Sequence, residues 1–140
     1  MIATIYQKLK TDLESIAEIG GVYDYPETAP KEFPAIVFYP SSLNNQYATQ
    51  TQNRKSLTFV AFITHEAKHF GLARTWNEVM PQSVDAVIAK LDAEWDGGVK
   101  DGSRVWYTLD SGDWFMTPNT NNNQLVVAQL FINIQYQNNI

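Results

Sequence analysis

The chain has 140 residues, of which 44% are hydrophobic and 18% are charged, and its formal net charge is −5. A chain of this length buries about 68–70% of the surface that its unfolded form exposes, so we expect one soluble domain, residues 1–140, that folds without disulfide or metal. The absence of cysteine excludes disulfides, thiolate nucleophiles and cysteine-ligated zinc. The ten basic residues are scattered, which disfavours a nucleic-acid binder because such proteins normally carry a basic face.

The N-terminal region is not typical of a signal peptide, because Lys8, Lys10, Asp12 and Glu14 interrupt it and no apolar run follows. No uncharged apolar run approaches the roughly 18 residues that a membrane-spanning helix needs. We therefore expect a protein that is made and used in water, with no membrane partner.

The first predicted elements are one helix and two strands. Apolar residues recur at three- and four-residue steps in residues 2–19, which predicts an amphipathic helix that ends at Gly20-Gly21. Residues 22–25 are a candidate for a short strand. Residues 35–39 are β-branched and aromatic and lie between prolines, which is typical of a buried strand.

Residues 41–53 are polar and almost uncharged, and two interpretations are open: a long loop, or the projecting tip of a hairpin. Residues 57–63 then alternate in a way that predicts a strand with at least one buried face. This strand would pair with residues 35–39 across the polar segment.

Residues 70–80 and 84–95 return to helical spacing, and Pro81 lies between them. Proline in the middle of a helix costs roughly 3 kcal/mol but is tolerated in the first turn. We therefore predict a short helix, a break near Pro81, and a main helix that ends at about Trp95.

The last third is predicted to be β. Residues 105–109 and 114–117 form two strands joined by a turn at residues 110–113, and residues 126–136 alternate as one long strand. The predicted order is α-β-β-β-α-β-β-β. The fold class is therefore α+β: a single, mostly antiparallel sheet with two main helices packed on it.

His65, Glu66 and His69 match the H-E-x-x-H spacing of zinc peptidases, in which both histidines ligate zinc from one helix face and the glutamate activates water. Here His65 falls where a strand pattern ends, Lys68 adds positive charge, and no third histidine exists. We therefore expect no metal, no cofactor and no enzymatic activity. A zinc metallopeptidase that uses His65 and His69 is the least favoured alternative.

The four tryptophans are candidates for ligand stacking. Trp76 and Trp95 fall on the predicted helical stripes, so we expect them in the core. Trp106 and Trp114 flank the predicted turn at residues 110–113. A small monomeric binding or adaptor module that uses these two rings is the second functional hypothesis.

The sequence also resembles a known family. The segment FPAIV at residues 33–37, the polar excursion and return strand after it, VDAVIAKL at residues 84–91, and the long last strand are similar to the tail terminator (tail completion) proteins of long-tailed bacteriophages. Related minor tail and head–tail joining proteins share this pattern. The resemblance covers nearly the whole chain.

The resemblance implies a structural role without catalysis. Such a protein forms a homo-oligomeric, hexameric ring on the tail tube protein, ends tube polymerisation, and offers a surface to the neck or head-completion protein. It would lie in the virion at the head–tail junction after assembly in the host cytoplasm. DNA would pass through the ring without specific binding, and an acidic chain suits that passage because phosphate attraction to a basic wall is strong.

A ring needs head-to-tail contacts that close, and polar hairpin tips are natural material for them. Amide side chains form hydrogen bonds without the desolvation cost of burying ions. Solvent loops with no partner are the alternative. The residues that we predict at the subunit or tube interface are Asn44, Asn45, Gln46, Tyr47, Gln50, Gln52, Asn53, Asn121, Asn122 and Asn123.

Overall fold

The computed structural model describes residues 1–24, 32–47, 52–68, 70–100, 103–117 and 124–139, and a six-stranded sheet dominates it. The sheet is mixed, has the strand order β1-β2-β3-β6-β5-β4, and curls into a half-barrel. The strands are β1 (Gly21–Asp24), β2 (Ala35–Tyr47), β3 (Gln52–Glu66), β4 (Asp96–Lys100), β5 (Ser103–Met116) and β6 (Leu125–Asn139).

The helical segments come before β1 and between β3 and β4. They are α1 (Ile2–Glu14), α2 (Leu72–Arg74) and α3 (Met80–Ala93), with a π-helical turn at Thr75–Val79 between the last two. The residues at these junctions all have right-handed helical backbone angles, so the chain stays helical from Leu72 to Ala93.

Strand β3 is the centre of the sheet and pairs antiparallel with β2 and β6 along its length. Residues directly opposite in antiparallel strands point to the same face. Ala61 lies opposite both Phe38 and Leu130, and these three side chains are buried on one face. We call this face, which continues with Phe59 and Ile63, the core face.

Helices α1 and α3 pack on the core face because each carries an apolar stripe. In α1 the stripe is Ile5, Leu9 and Leu13, all fully buried, and the ring of Tyr6 stacks on Phe38 with 4.8 Å between centroids. Burial of such side chains stabilises by about 1.5–3 kcal/mol each. The stripe of α3 comprises Met80, Val84, Val87 and Leu91.

The predicted fold class, α+β with a mostly antiparallel sheet, two main helices and the order α-β-β-β-α-β-β-β, is wrong. The structure is mostly sheet, its six strands are mixed, and the observed elements do not match the predicted ones. β1 runs parallel to β2, with Val22 opposite Ile36. Periodicity indicates which residues face the core, but it carries no information on the direction in which two strands pair.

The predicted hairpin at residues 105–117 is also wrong, because β5 is one strand and pairs with β6 along its whole length. The register shifts between Leu109 and Ser111, so a β-bulge absorbs Asp110 where we predicted a turn. β4 is a strand that we did not predict. It includes Gly97 and Gly98, which follow the predicted end of the main helix at about Trp95. Gly98 has a φ of 70°, which favours glycine.

Two helix predictions need correction as well. α1 ends at Glu14, before the predicted end at residue 19. The helix does not break near Pro81, because the proline lies in the first turn of α3, directly after the π-helical turn. The hairpin interpretation of residues 41–53 is correct, since β2 and β3 pair as far as Tyr47 and Asn53.

Candidate interaction surface

The face of the sheet opposite the core face, which we call the outer face, has no helix over it in the part of the chain that the structure describes. One half of it is apolar. The rings of Tyr39 and Phe62 stack there with 6.1 Å between centroids, and Val60 between them is 4% exposed. The apolar residues of this face, by strand register, are Val37, Tyr39, Val60, Phe62, Phe115, Val127 and Phe131.

The other half of the outer face is polar and lies toward the tip of the β2–β3 hairpin. The amide of Asn133 donates to the Ser56 hydroxyl at 2.6 Å, and Arg104 lies over the Trp106 ring at 5.7 Å. A depression of about 240 Å³ opens between Asn44 and Arg54. The polar side chains of this half are Ser42, Asn44, Arg54, Ser56, Thr58, Arg104, Thr108, Asn133, Gln135 and Gln137.

The structure places part of the predicted interface in this polar half. Asn44 is exposed beside Arg54, and residues 45–47 and 52–53 extend β2 and β3 beyond it as paired strands. Gln50 and residues 121–123 lie outside the described residues. The predicted contact of these side chains with another subunit or a tube stays a prediction.

Trp106 and Trp114 do not form one stacking platform. They are eight residues apart on β5, but the bulge at Asp110 reverses the alternation between them. Trp106 therefore lies on the outer face, whereas Trp114 packs against the core beside Trp76. Of the two helical tryptophans, which we predicted in the core, Trp76 is partly buried and packs against the core, and Trp95 is 55% exposed beyond the end of α3.

The H-E-x-x-H helix does not form. His65 and Glu66 are the last residues of β3 and so point to opposite sides of the sheet, and His69 lies outside the described residues. The His65 Nε2 and Ser83 Oγ are 2.8 Å apart, and the Glu66 carboxylate pairs with Lys68 at 3.2 Å. Among the described residues, no three His, Asp or Glu side chains are grouped to hold a metal ion.

A cleft of about 270 Å³ opens beside His65, at the end of β3 and the start of α3, and we call it the His65 cleft. His65 itself is 6% exposed, and burial lowers the pKa of its imidazole. Sequence reasoning missed its partner, Ser83. The available signal was a small polar residue next to the apolar stripe of α3. The residues that line the cleft are Glu18, Phe33, Pro34, His65, Glu66, Phe70, Val79, Gln82 and Ser83.

Comparisons with known proteins do not assign a family. No family model and no curated protein matches the sequence. Among solved structures, one whose name states no function covers 94% of this chain and 91% of its own, with 11% sequence identity and a TM-score of 0.41. A likeness this weak carries no argument about fold or function.

The described helices are all too short or too polar to cross a membrane.

The buried His65 predicts a pH dependence of stability. The lowered pKa in the folded state means that the unfolded chain binds a proton first as the pH falls through about 6.5. The contribution of His65 to the free energy of unfolding is therefore fully present above pH 6.5. It is lost as the pH falls through the folded pKa of His65, at no more than about 1.4 kcal/mol per pH unit.

Urea unfolding at steps from pH 7.5 to pH 5.5 measures this loss. His65→Gln keeps a hydrogen-bonding group for Ser83 but cannot take up the proton, so its stability should change less over this range. His69→Gln is the matched control and should retain the slope of the wild-type chain. Equal slopes in wild type and His65→Gln would contradict the assignment.

Proposed function

We propose that this chain is a structural protein that works by self-association, and that its place is the ring that ends a bacteriophage tail tube. The observation that carries the proposal is the outer face, where a half-apolar sheet surface continues into the polar, amide-rich strands of the β2–β3 hairpin. Among the described residues, no group of three His, Asp or Glu side chains that could hold a metal ion competes with this surface.

The apolar half of the outer face favours a partner for energetic reasons. Phe115 is 40% exposed, and Tyr39, Phe62 and Phe131 are half-buried, with no helix over them in the described ranges. Removing apolar surface from water contributes about 25 cal/mol per Å², so a partner that covers this patch gains stability. Contiguous exposed apolar patches on soluble proteins commonly mark such contacts.

The form of the sheet suits a ring. A curled sheet that stays open has two unlike edges, here the four-residue β1 and the five-residue β4. Contacts between unlike surfaces are head-to-tail, and they close into a ring when the rotation between copies permits. An isologous dimer would instead use the same surface twice.

In this proposal the ring binds the tail tube protein on one side and the neck or head-completion protein on the other. The resemblance described above supports these partners and the location in the virion at the head–tail junction. The net charge of −5 supports passage of DNA without binding, because an acidic wall repels phosphate.

The test is the mass of the purified chain by light scattering from 1 to 200 µM, followed by negative-stain electron microscopy. The tail tube protein of the same virus is then allowed to polymerise with and without the chain. We expect rings and a sharp reduction in tube length. A chain that stays monomeric at every concentration and leaves tube length unchanged would overturn the proposal.

Shortening the hairpin should separate folding from assembly. Gln46 and Arg54 are a register pair, so replacing residues 47–53 with Asn-Gly closes the strands with a two-residue turn and keeps their pairing up to that point. The variant loses the pair of Tyr47 with Asn53 and the two pairs that residues 52 and 53 form with β6. We expect the variant to unfold within about 1 kcal/mol of wild type, as surface changes usually do. We expect it to lose tube capping. Capping equal to wild type would show that the hairpin tip is a solvent loop.

A further inference from the structure

The His65 cleft combines hydrogen-bond acceptors with apolar walls, and nothing in the proposed ring so far uses it. We propose that this cleft binds an arginine side chain, and that the arginine is Arg54 of a second copy of this chain. The identity of that donor rests on the proposed function. The chemistry of the cleft does not.

The imidazole of His65 offers an acceptor to the cleft. Ser83 Oγ lies 2.8 Å from His65 Nε2 and 3.3 Å from the carbonyl oxygen of Val79. A hydroxyl has one proton, so both hydrogen bonds form together only when Nε2 carries the imidazole proton and Ser83 donates to Val79. Nδ1 then presents a lone pair.

That lone pair has no hydrogen-bond partner among the described residues. Apart from Ser83, no described residue forms a hydrogen bond with His65. Among the described side chains, the fully buried nitrogen and oxygen atoms without a partner are Tyr107 Oη and Asn133 Oδ1. Nδ1 is therefore not sealed in the core. It opens to the cleft that the imidazole lines.

The rim of the cleft adds negative charge. Glu18 forms no ion pair with any described residue, and Glu66 is 3.2 Å from Lys68. Among the described residues, no lysine or arginine lines the cleft, and Arg74 of α2 pairs with Glu78 at 3.3 Å. A ligand that donates hydrogen bonds and carries positive charge fits the Glu18 carboxylate and a lone pair.

The apolar walls of the cleft favour a ligand whose positive group is carried on an apolar chain. Phe33, Pro34, Phe70 and Val79 provide the apolar surface of the cleft. The methylenes of an arginine pack on such surface while its planar guanidinium donates at the rim and lies against aromatic rings. A hydrated metal ion or an ammonium ion alone would leave these walls in water.

The ion pairs of the polar half of the outer face favour Arg54 as the arginine that enters the cleft of a second copy. Arg54 is exposed on the outer face and forms no ion pair with any described residue. The neighbouring cations are already engaged, since Arg104 bonds Asp96 at 2.9 Å and Lys55 lies over the Tyr136 ring at 6.0 Å.

Arg54 lies near the opposite end of β3 from His65, so one copy cannot fill its own cleft. Eleven residues of strand separate the two, which is roughly 36 Å at about 3.3 Å per residue. A contact between them joins unlike ends of two copies. A closed ring makes such a contact once between each pair of neighbouring copies, whereas a two-fold dimer would make it twice in one interface.

Charge reversal tests the source of the arginine by sedimentation of each variant over a concentration series. Arg54→Glu and Glu18→Arg should each weaken self-association tenfold or more, and the double variant should recover it. Lys55→Glu and Glu14→Lys are the matched controls, because they reverse the same charges on the adjacent residue and on the end of α1. Single variants that associate like wild type, or a double variant without recovery, would overturn Arg54 as the donor.

The cleft itself is tested without any assembly. N-acetyl-arginine amide is titrated into the dilute chain while the His65 ring nitrogens are followed by NMR, with His69→Gln used for assignment. We expect a saturable shift that the neutral isostere N-acetyl-citrulline amide does not produce and that Glu18→Gln weakens. No shift with the arginine probe overturns the cleft as a guanidinium site, even if rings form. A shift in a chain that never self-associates supports the site and overturns both its second-copy donor and the proposed ring.

Discussion

Replacing Phe59 with alanine should lower the free energy of unfolding by about 3–5 kcal/mol, the usual cost of removing a buried phenylalanine ring. Phe59 is fully buried at the centre of β3, within 6.1 Å of Phe38 and 6.4 Å of Tyr6 between ring centroids. It joins α1 to the central strand, so the cavity that it leaves would be lined on several sides. Urea unfolding followed by circular dichroism gives the difference.

A conservative change at the same site provides the control. Phe59→Leu keeps most of the apolar volume and should cost less than the alanine variant, because volume-conserving changes in cores are tolerated best. Thr58→Ala, at the adjacent residue on the outer face, should stay within about 1 kcal/mol of wild type. An alanine variant that loses less than about 1 kcal/mol would mean that Phe59 is not in the core.

The sequence predicts the core of this fold better than its connections. The alternation in β6 and the stripe of α1 identify buried residues such as Ile132 and Leu9, because one apolar face per element is a local property. Strand partners are not local. The parallel pairing of Val22 with Ile36 depends on how the chain returns to the sheet, which no periodicity encodes.

The β-bulge at Asp110 explains the wrong prediction of a hairpin at residues 105–117. The residues around Asp110 have the composition of a turn, but pairing with an unbroken β6 holds β5 straight across them. A single residue that bulges out gives the same local signal as a turn, since both favour small and polar side chains. The consequence reaches function, because the bulge sends Trp106 and Trp114 to opposite faces and removes the predicted stacking platform.

The candidate sites were predictable only in part. Low charge and abundant amides indicated a polar segment from residue 41 onward, but composition left open whether it is a long loop or the tip of a hairpin. The apolar half of the outer face was hidden, because Val60 and Phe62 in β3 also fit a strand buried on both faces. The His65 cleft needs β3 and α3 side by side, a contact 18 residues apart that spacing does not predict.

Replacing Phe62 with lysine should abolish self-association while leaving the fold intact. Phe62 is half-buried at the centre of the apolar half of the outer face, stacked on Tyr39 and opposite Val37. An alkyl stem can still cover part of the strand, so the loss of stability should be modest, on the order of 1 kcal/mol. A buried, unpaired ammonium in an interface is far more costly.

The expected effect on association is large. Truncation of a central interface residue commonly costs about 2 kcal/mol or more, which corresponds to at least roughly 30-fold in the association constant. Light scattering of Phe62→Lys should therefore show monomers at concentrations where wild type forms rings. The control is Ala89→Lys, which adds the same charge at an exposed position of α3 and should associate like wild type.

The comparison of Phe59 with Phe62 separates the two faces of one strand. If the outer face is an interface, the alanine change at Phe59 lowers the free energy of unfolding, and the lysine change at Phe62 lowers the mass of the assembly in solution. If both changes act only on unfolding, the outer face is not the interface, and the ring must be built from other surfaces. Rings that persist in Phe62→Lys with normal stability would contradict the assigned interface directly.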